Sequence, residues 1–189
     1  MGFDLLKHHR RSIRLKGYDY SEPGIYYVTL TLQERVEFLG HLSGGKVHLS
    51  AFGEIVRDEW LRTPRIRPEV VLDEFVIMPD HLHGIIVICD ERNGVTRRGE
   101  WQFAPTRVFN NQSTPFRSPS GTLGAIIRGF KGATTKQINE VRCTPGAKVW
   151  QRNYYEHIVR DEKDLRKIQH YIRENPLRLA EKHELLNSL

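Results

Sequence analysis

Val70-Val71-Leu72-Asp73-Glu74-Phe75-Val76-Ile77-Met78, then Pro79-Asp80, then His81-Leu82-His83-Gly84-Ile85-Ile86-Val87-Ile88-Cys89: this stretch reads as two strands joined by a tight turn. Both runs are rich in β-branched and large apolar residues, which suit a pleated, buried surface. The second holds the longest unbroken apolar stretch of the chain, the six residues Gly84 to Cys89. A strand that apolar belongs in the centre of a sheet, covered on both faces. Upstream, the Ser21-Glu22-Pro23-Gly24 turn signal precedes a strand at Ile25–Thr31. A second strand is expected at Val36–Leu39 and a weaker one at Lys46–Leu49. Ser50, with Glu54 after it, opens a helix to about Arg62. Its apolar residues Phe52, Ile55, Val56 and Trp60 recur at helical spacing, and Pro64 and Pro68 end it. Downstream, Thr122 to about Asn139 reads as a helix with Leu123, Ile126, Ile127 and Phe130 on its buried stripe. Another strand is expected within Val149–Val159, beyond a Pro145-Gly146 turn. Asp161 then caps a last helix, with Leu165, Ile168 and Ile172 inward, which Pro176 breaks after Asn175. The order β-β-α-β-β-α-β-α, without internal repeats, implies an α+β sandwich: a largely antiparallel sheet with helices packed on it.

The chain has 189 residues, the length of a single domain able to bury its own core. Its 29 Lys and Arg against 23 Asp and Glu leave a net charge of +6, which favours a polyanionic partner. Two cysteines, Cys89 and Cys143, exclude a disulfide framework and a Cys-rich zinc site, and point to a reducing compartment. No apolar run is long enough to span a membrane. The first residues contain neither a secretory apolar region nor a myristoylation signal, so the protein is expected in the cytoplasm.

Two regions depart from the globular pattern. Residues 1–20 form an arm whose basic stretch carries Arg10, Arg11, Arg14 and Lys16, suited to gripping phosphates or to lying solvated as a tail. Residues 90–121 lack periodicity and interleave arginines with Trp101, Phe103, Phe109 and Phe116. That composition fits a flexible insertion, or a segment that orders on nucleic acid by phosphate contact and base stacking. Arg128 and Lys131 add a basic flank to the second helix.

Three constellations carry chemistry. His81 and His83 are two apart in a strand, so both imidazoles project from one face while Leu82 is buried on the other. Such a pair can share a divalent cation, or be two partly exposed histidines at a strand end. Tyr171 and Asn175 are four apart on the last helix and share a face; a packing aromatic and a helix cap are the structural alternatives. His157, between Glu156 and Ile158, is either a third imidazole near the pair or a satisfied core histidine. Phosphate-binding glycine loops, zinc-spaced cysteine pairs and nucleophile elbows are all missing from the sequence.

Taken together, Arg14–Tyr20, Met78–Gly84, Ile127–Lys131, Val149–His157 and Tyr171–Pro176 resemble, in order, the motifs of the REP-associated tyrosine transposases. These are single-tyrosine members of the His-hydrophobe-His transposases. The resemblance implies a ferredoxin-like fold and a metal-dependent enzyme that cuts and rejoins single-stranded DNA folded into hairpins. It implies that His81 and His83 hold Mg²⁺ or Mn²⁺, with Asn175, where relatives often carry Gln, as the helix-borne third ligand. It implies Tyr171 as the nucleophile and a 5′-phosphotyrosine intermediate, in a monomer or a homodimer, in a prokaryotic cytoplasm and at the nucleoid when bound to DNA. Among the other tyrosines, Tyr154 and Tyr155 point to opposite faces of their strand, so one of them is the rival nucleophile. Two other readings use the same residues. One is a nucleic-acid-binding module without chemistry; the other is a small zinc hydrolase built on His81, His83 and His157.

Overall fold

The computed structural model describes residues 20, 22–89 and 121–187. The arm, apart from Tyr20, and the 90–121 insertion, apart from Gly121, lie outside the described residues. The elements are β1 (Gly24–Thr31), a 3₁₀ turn (Gln33–Arg35), β2 (Gly40–Ser43), β3 (Lys46–Leu49), α1 (Ala51–Ile66), β4 (Val70–Ile77), β5 (His81–Ile88), α2 (Leu123–Val141), β6 (Tyr155–Val159) and α3 (Glu162–Asn187).

Four strands form one antiparallel sheet in the order β4-β5-β1-β6. The apolar β5 is central, as its composition requires. Setting the β2–β3 hairpin aside, the path β1-α1-β4-β5-α2-β6 with this strand order is the split βαβ arrangement of ferredoxin-like folds. The hairpin turns at Gly44-Gly45, both left-handed (φ +56° and +71°), where other residues would be strained.

Alternation along β1 and β5 splits the interior in two. Tyr26, Val28, Leu30, Leu82 and Ile86 face α1 and α2, where Trp60, Leu123, Ile126 and Phe130 complete the larger core. Gly84 belongs to this face for a steric reason: a Cβ there would stand 2.4 Å from Trp60 Cζ2. Ile25, Tyr27, Ile85 and Val87 face α3, where Leu165 and Ile172 close a smaller core. The helix starts follow the expected chemistry. Ser50 Oγ accepts the N–H groups of Phe52 and Gly53, Thr122 Oγ1 that of Ala125, and Asp161 Oδ1 that of Asp164.

Three expectations are corrected. Residues Val36–Leu39 are not a strand: Leu39 is fully buried, and its N–H and carbonyl bond Pro79 and Ser50 rather than a neighbouring strand. The strand begins at Gly40 instead. Helix α1 runs through Pro64 to Ile66. Helix α3 runs through Pro176 to Asn187. An internal proline deletes one N–H and crowds one carbonyl, an energetic cost that tertiary packing can offset. In α3 the Glu174–Arg178 ion pair straddles the proline, and Leu177 packs at the Gly45 turn of the hairpin. Among the described residues, no helix is long and apolar enough to cross a membrane.

Candidate active site

On the α3 face each central strand changes character along its length. The stripe of β1 runs Ile25, Tyr27, Thr29, Thr31, and that of β5 runs Val87, Ile85, His83, His81. The register pairs Thr29 with His83 and Thr31 with His81, so both stripes turn polar at the same end of the sheet.

The two imidazoles converge there. Their Nε2 atoms are 3.0 Å apart. Each Nδ1 is anchored: that of His81 on the Asp80 carboxylate, that of His83 on the Tyr27 hydroxyl (2.8 Å) and the Thr29 hydroxyl (2.9 Å). A carboxylate only accepts, so His81 Nδ1 is the donor to Asp80, which in the neutral imidazole leaves the Nε2 lone pair facing His83. Hydroxyls donate or accept, so His83 is satisfied in either tautomer. It can donate from Nε2 to His81, or turn that lone pair outward and donate from Nδ1. Burial, and then the neighbouring His81, lower the His83 pKa to about 3, which keeps this imidazole neutral at physiological pH. Two nitrogens bound to one cation at a right angle, each about 2.1 Å away, stand about 3 Å apart. The pair fits a divalent metal, with the outer hydrogen bonds that fix ligating histidines. Among the described residues no cluster of three or more His, Cys, Asp or Glu completes such a site.

Tyr171 and Asn175 lie across the same pocket. The Tyr171 ring meets the His83 ring edge-on, with centroids 5.3 Å apart, and meets the Tyr27 ring edge-on as well. Because α3 continues past Pro176, Asn175 is an interior helical residue and not a cap, and its side chain lines the pocket. Tyr155 reaches the Tyr27 ring at 6.0 Å, one ring further from the histidines. Tyr154 packs against the other core, under the Lys131 ammonium. His157 is not gathered in: its Nε2 bonds Asp164 at the start of α3, 2.7 Å away.

The expected DNA-contact residues divide. Arg10, Arg11, Arg14 and Lys16 lie outside the described residues. Arg128 is exposed on α2. Lys131 donates to the carbonyls of Gln151 and Asn153, and burial lowers its pKa to about 8, so much of its bonding capacity is spent inside the fold.

No protein-family model matches the chain. An uncharacterized protein of Haemophilus influenzae is 40% identical over 170 residues, covering 90% of this chain and 89% of that protein. A second Haemophilus influenzae protein, "Putative REP-associated tyrosine transposase", is 25% identical over 169 residues, covering 85% and 74%. The solved structure of a REP-associated tyrosine transposase bound to a REP hairpin superposes with a TM-score of 0.55 at 19% identity, covering 85% of this chain and 71% of that one. Over most of its length the chain is thus similar in sequence to a protein named as a REP-associated tyrosine transposase, and it shares the fold of a solved one.

Beyond the family motifs, the structure adds site residues that the sequence reading left unassigned. Tyr27 and Thr29 orient His83, Asp80 orients His81, and Arg35 holds Asp80 at 3.3 Å. The signal for Tyr27 and Thr29 was the loss of apolar character at alternate positions of an otherwise buried strand. Glu34 and Arg35, beside this site, are left-handed, with φ of 58° and 53°, an unfavourable state for side-chain-bearing residues.

Proposed function

We propose that this chain is a transposase that cleaves and rejoins single-stranded DNA at hairpin-forming repetitive sequences, in a prokaryotic cytoplasm and on the nucleoid. One observation supports it most: the two Nε2 atoms 3.0 Å apart, with the Tyr171 ring against His83. The relatives support this substrate class, since one solved structure of similar fold is bound to a REP hairpin.

His81 and His83 would hold Mg²⁺ or Mn²⁺, with Asn175 as the further protein ligand. Imidazole suits Mn²⁺, and Mg²⁺ is the abundant cellular ion. Bound there, the ion would polarise the scissile phosphate and neutralise its charge. The Tyr171 oxygen attacks phosphorus and gives up its proton. The bond to the 3′-oxygen breaks, and that oxygen takes a proton to become a free 3′-OH. The strand stays on the protein as a 5′-phosphotyrosine. The bond energy is retained, so a 3′-OH can reverse the step without ATP. One nucleophile suffices if exchanges are sequential or shared between two subunits.

The test is covalent trapping. A single-stranded hairpin substrate that cannot religate is incubated with the protein and Mn²⁺, and the adduct is mapped by mass spectrometry. The expected result is a nucleotide on Tyr171, absent in Tyr171→Phe, which still binds the DNA. A nucleotide on Tyr155 or Tyr154 reassigns the nucleophile, and no adduct on any substrate overturns the enzymatic reading.

A further inference from the structure

Three long cationic side chains enter this pocket, and the chemistry above uses none of them. Arg35 comes from the 3₁₀ turn after β1, and Arg178 and Lys182 from α3 beyond Pro176. The wall also offers the Thr29 and Thr31 hydroxyls, but none of its lining residues is acidic. Arg35 and Arg178 each pair with one carboxylate, Asp80 at 3.3 Å and Glu174 at 3.0 Å, while 70% and 56% of their side chains stay exposed. Such solvated pairs are weak, and each guanidinium keeps donors for another acceptor. Lys182 makes no ion pair among the described residues. Arg35 reaches the pocket from a backbone held left-handed, a state sustained by the bonds of Leu32 to Asp80 and of Gln33 to Val149.

A cation held by the two imidazoles would be repelled by three further positive charges. The arrangement becomes favourable when an anion with several acceptor oxygens arrives with it. A phosphodiester backbone has that chemistry, and a single strand brings successive phosphates. We propose that Arg35, Arg178 and Lys182 form a phosphate seat for single-stranded DNA beside His81 and His83, so that strand and metal ion occupy the site together. This rests on the reading of the site given above. By linkage, the strand tightens metal binding by the same factor as the metal tightens strand binding.

Binding of a short single-stranded oligonucleotide to the full chain is measured across a salt series, with wild type and the variant Arg35→Gln/Arg178→Gln/Lys182→Gln. The salt slope is expected to fall by about two units, from about 0.7 per lost single-strand phosphate contact. Arg65→Gln, an exposed cation of α1, controls for net charge and leaves the slope nearly unchanged. Lys182→Gln alone, at an exposed position, tests the seat without risk to the fold and lowers the slope by about 0.7. Unchanged slope and affinity in both variants would overturn the seat. Mn²⁺ affinity, read by electron paramagnetic resonance, is expected to rise several-fold when the oligonucleotide is added to wild type. In the triple variant Mn²⁺ binds more tightly without DNA and gains less from it. Equal Mn²⁺ affinity of the wild type with and without the strand overturns the coupling. A His81→Ala/His83→Ala protein that still binds Mn²⁺ refutes the metal reading itself, while the salt slope continues to decide the seat.

Discussion

The two faces of the central sheet are made by the same strands with the same alternation, yet they are finished differently. Towards α1 and α2, β1 and β5 present apolar side chains along their whole length, and two helices seal them. Towards α3, the same strands are apolar for half their length and then present Tyr27, Thr29, His83 and His81 under a single helix. The first face stores stability and the second gives some of it up. Polar groups at the end of a central strand are tolerated because each is hydrogen-bonded. The lesson is that the site is the unfinished half of a core, rigid because the finished half lies directly beneath it.

The largest effect separating the faces is expected from His81→Ala/His83→Ala. Strand cleavage should fall by at least about a thousandfold, since metal binding and phosphate polarisation go together. Hairpin-DNA affinity and thermal stability should change little, as checked by cleavage assay, filter binding and calorimetry. Leu82→Ala lies between the two histidines but on the opposite face. It should destabilise by about 2–5 kcal/mol in denaturant unfolding, while the folded fraction keeps its metal affinity. Loss of chemistry without loss of stability from this variant would erase the distinction between the faces.

Asn175→Ala should weaken metal binding by roughly tenfold, whereas His157→Ala, bonded to Asp164 away from the pair, should leave it unchanged. The reverse pattern makes His157 the ligand. The smallest effect concerns pH. His83 titrates near 3 in the folded metal-free chain but near the ordinary value of about 6.5 when unfolded. The unfolded chain therefore takes up its proton first on acidification. The contribution is complete above pH about 6.5 and is lost as pH falls towards 3, by at most about 1.4 kcal/mol per pH unit. Urea titrations across this range should show a shallower acid loss in His83→Gln. An equal loss in both proteins would mean that the imidazole is not buried as neutral.

Much of the architecture was legible because it rests on local patterns. Runs of β-branched and large apolar residues placed β1, β4 and β5, and the side chains of Ser50, Thr122 and Asp161 marked the helix starts. What misled was proline. Pro64 and Pro176 read as stops because a chain segment taken alone has nothing to offset a lost N–H. Leu39 misled for the converse reason: an apolar residue in an extended stretch looks like a strand, and only the turns at Pro79 and Ser50 make it a plug.

Residue types and spacing determined the sheet, its central strand, the common face of His81 and His83, and that of Tyr171 and Asn175, since each depends on the repeat of a single element. The tertiary structure decided the rest. It brought Tyr171 to His83, sent His157 to Asp164, placed Tyr27 and Thr29 behind the imidazole, and carried Arg178 and Lys182 into the pocket on a helix extended past its proline. These relations join residues from different elements, through strand register and helix packing. No periodicity within one segment encodes the distance between two segments, because that distance is set by the side chains that fill the space between them.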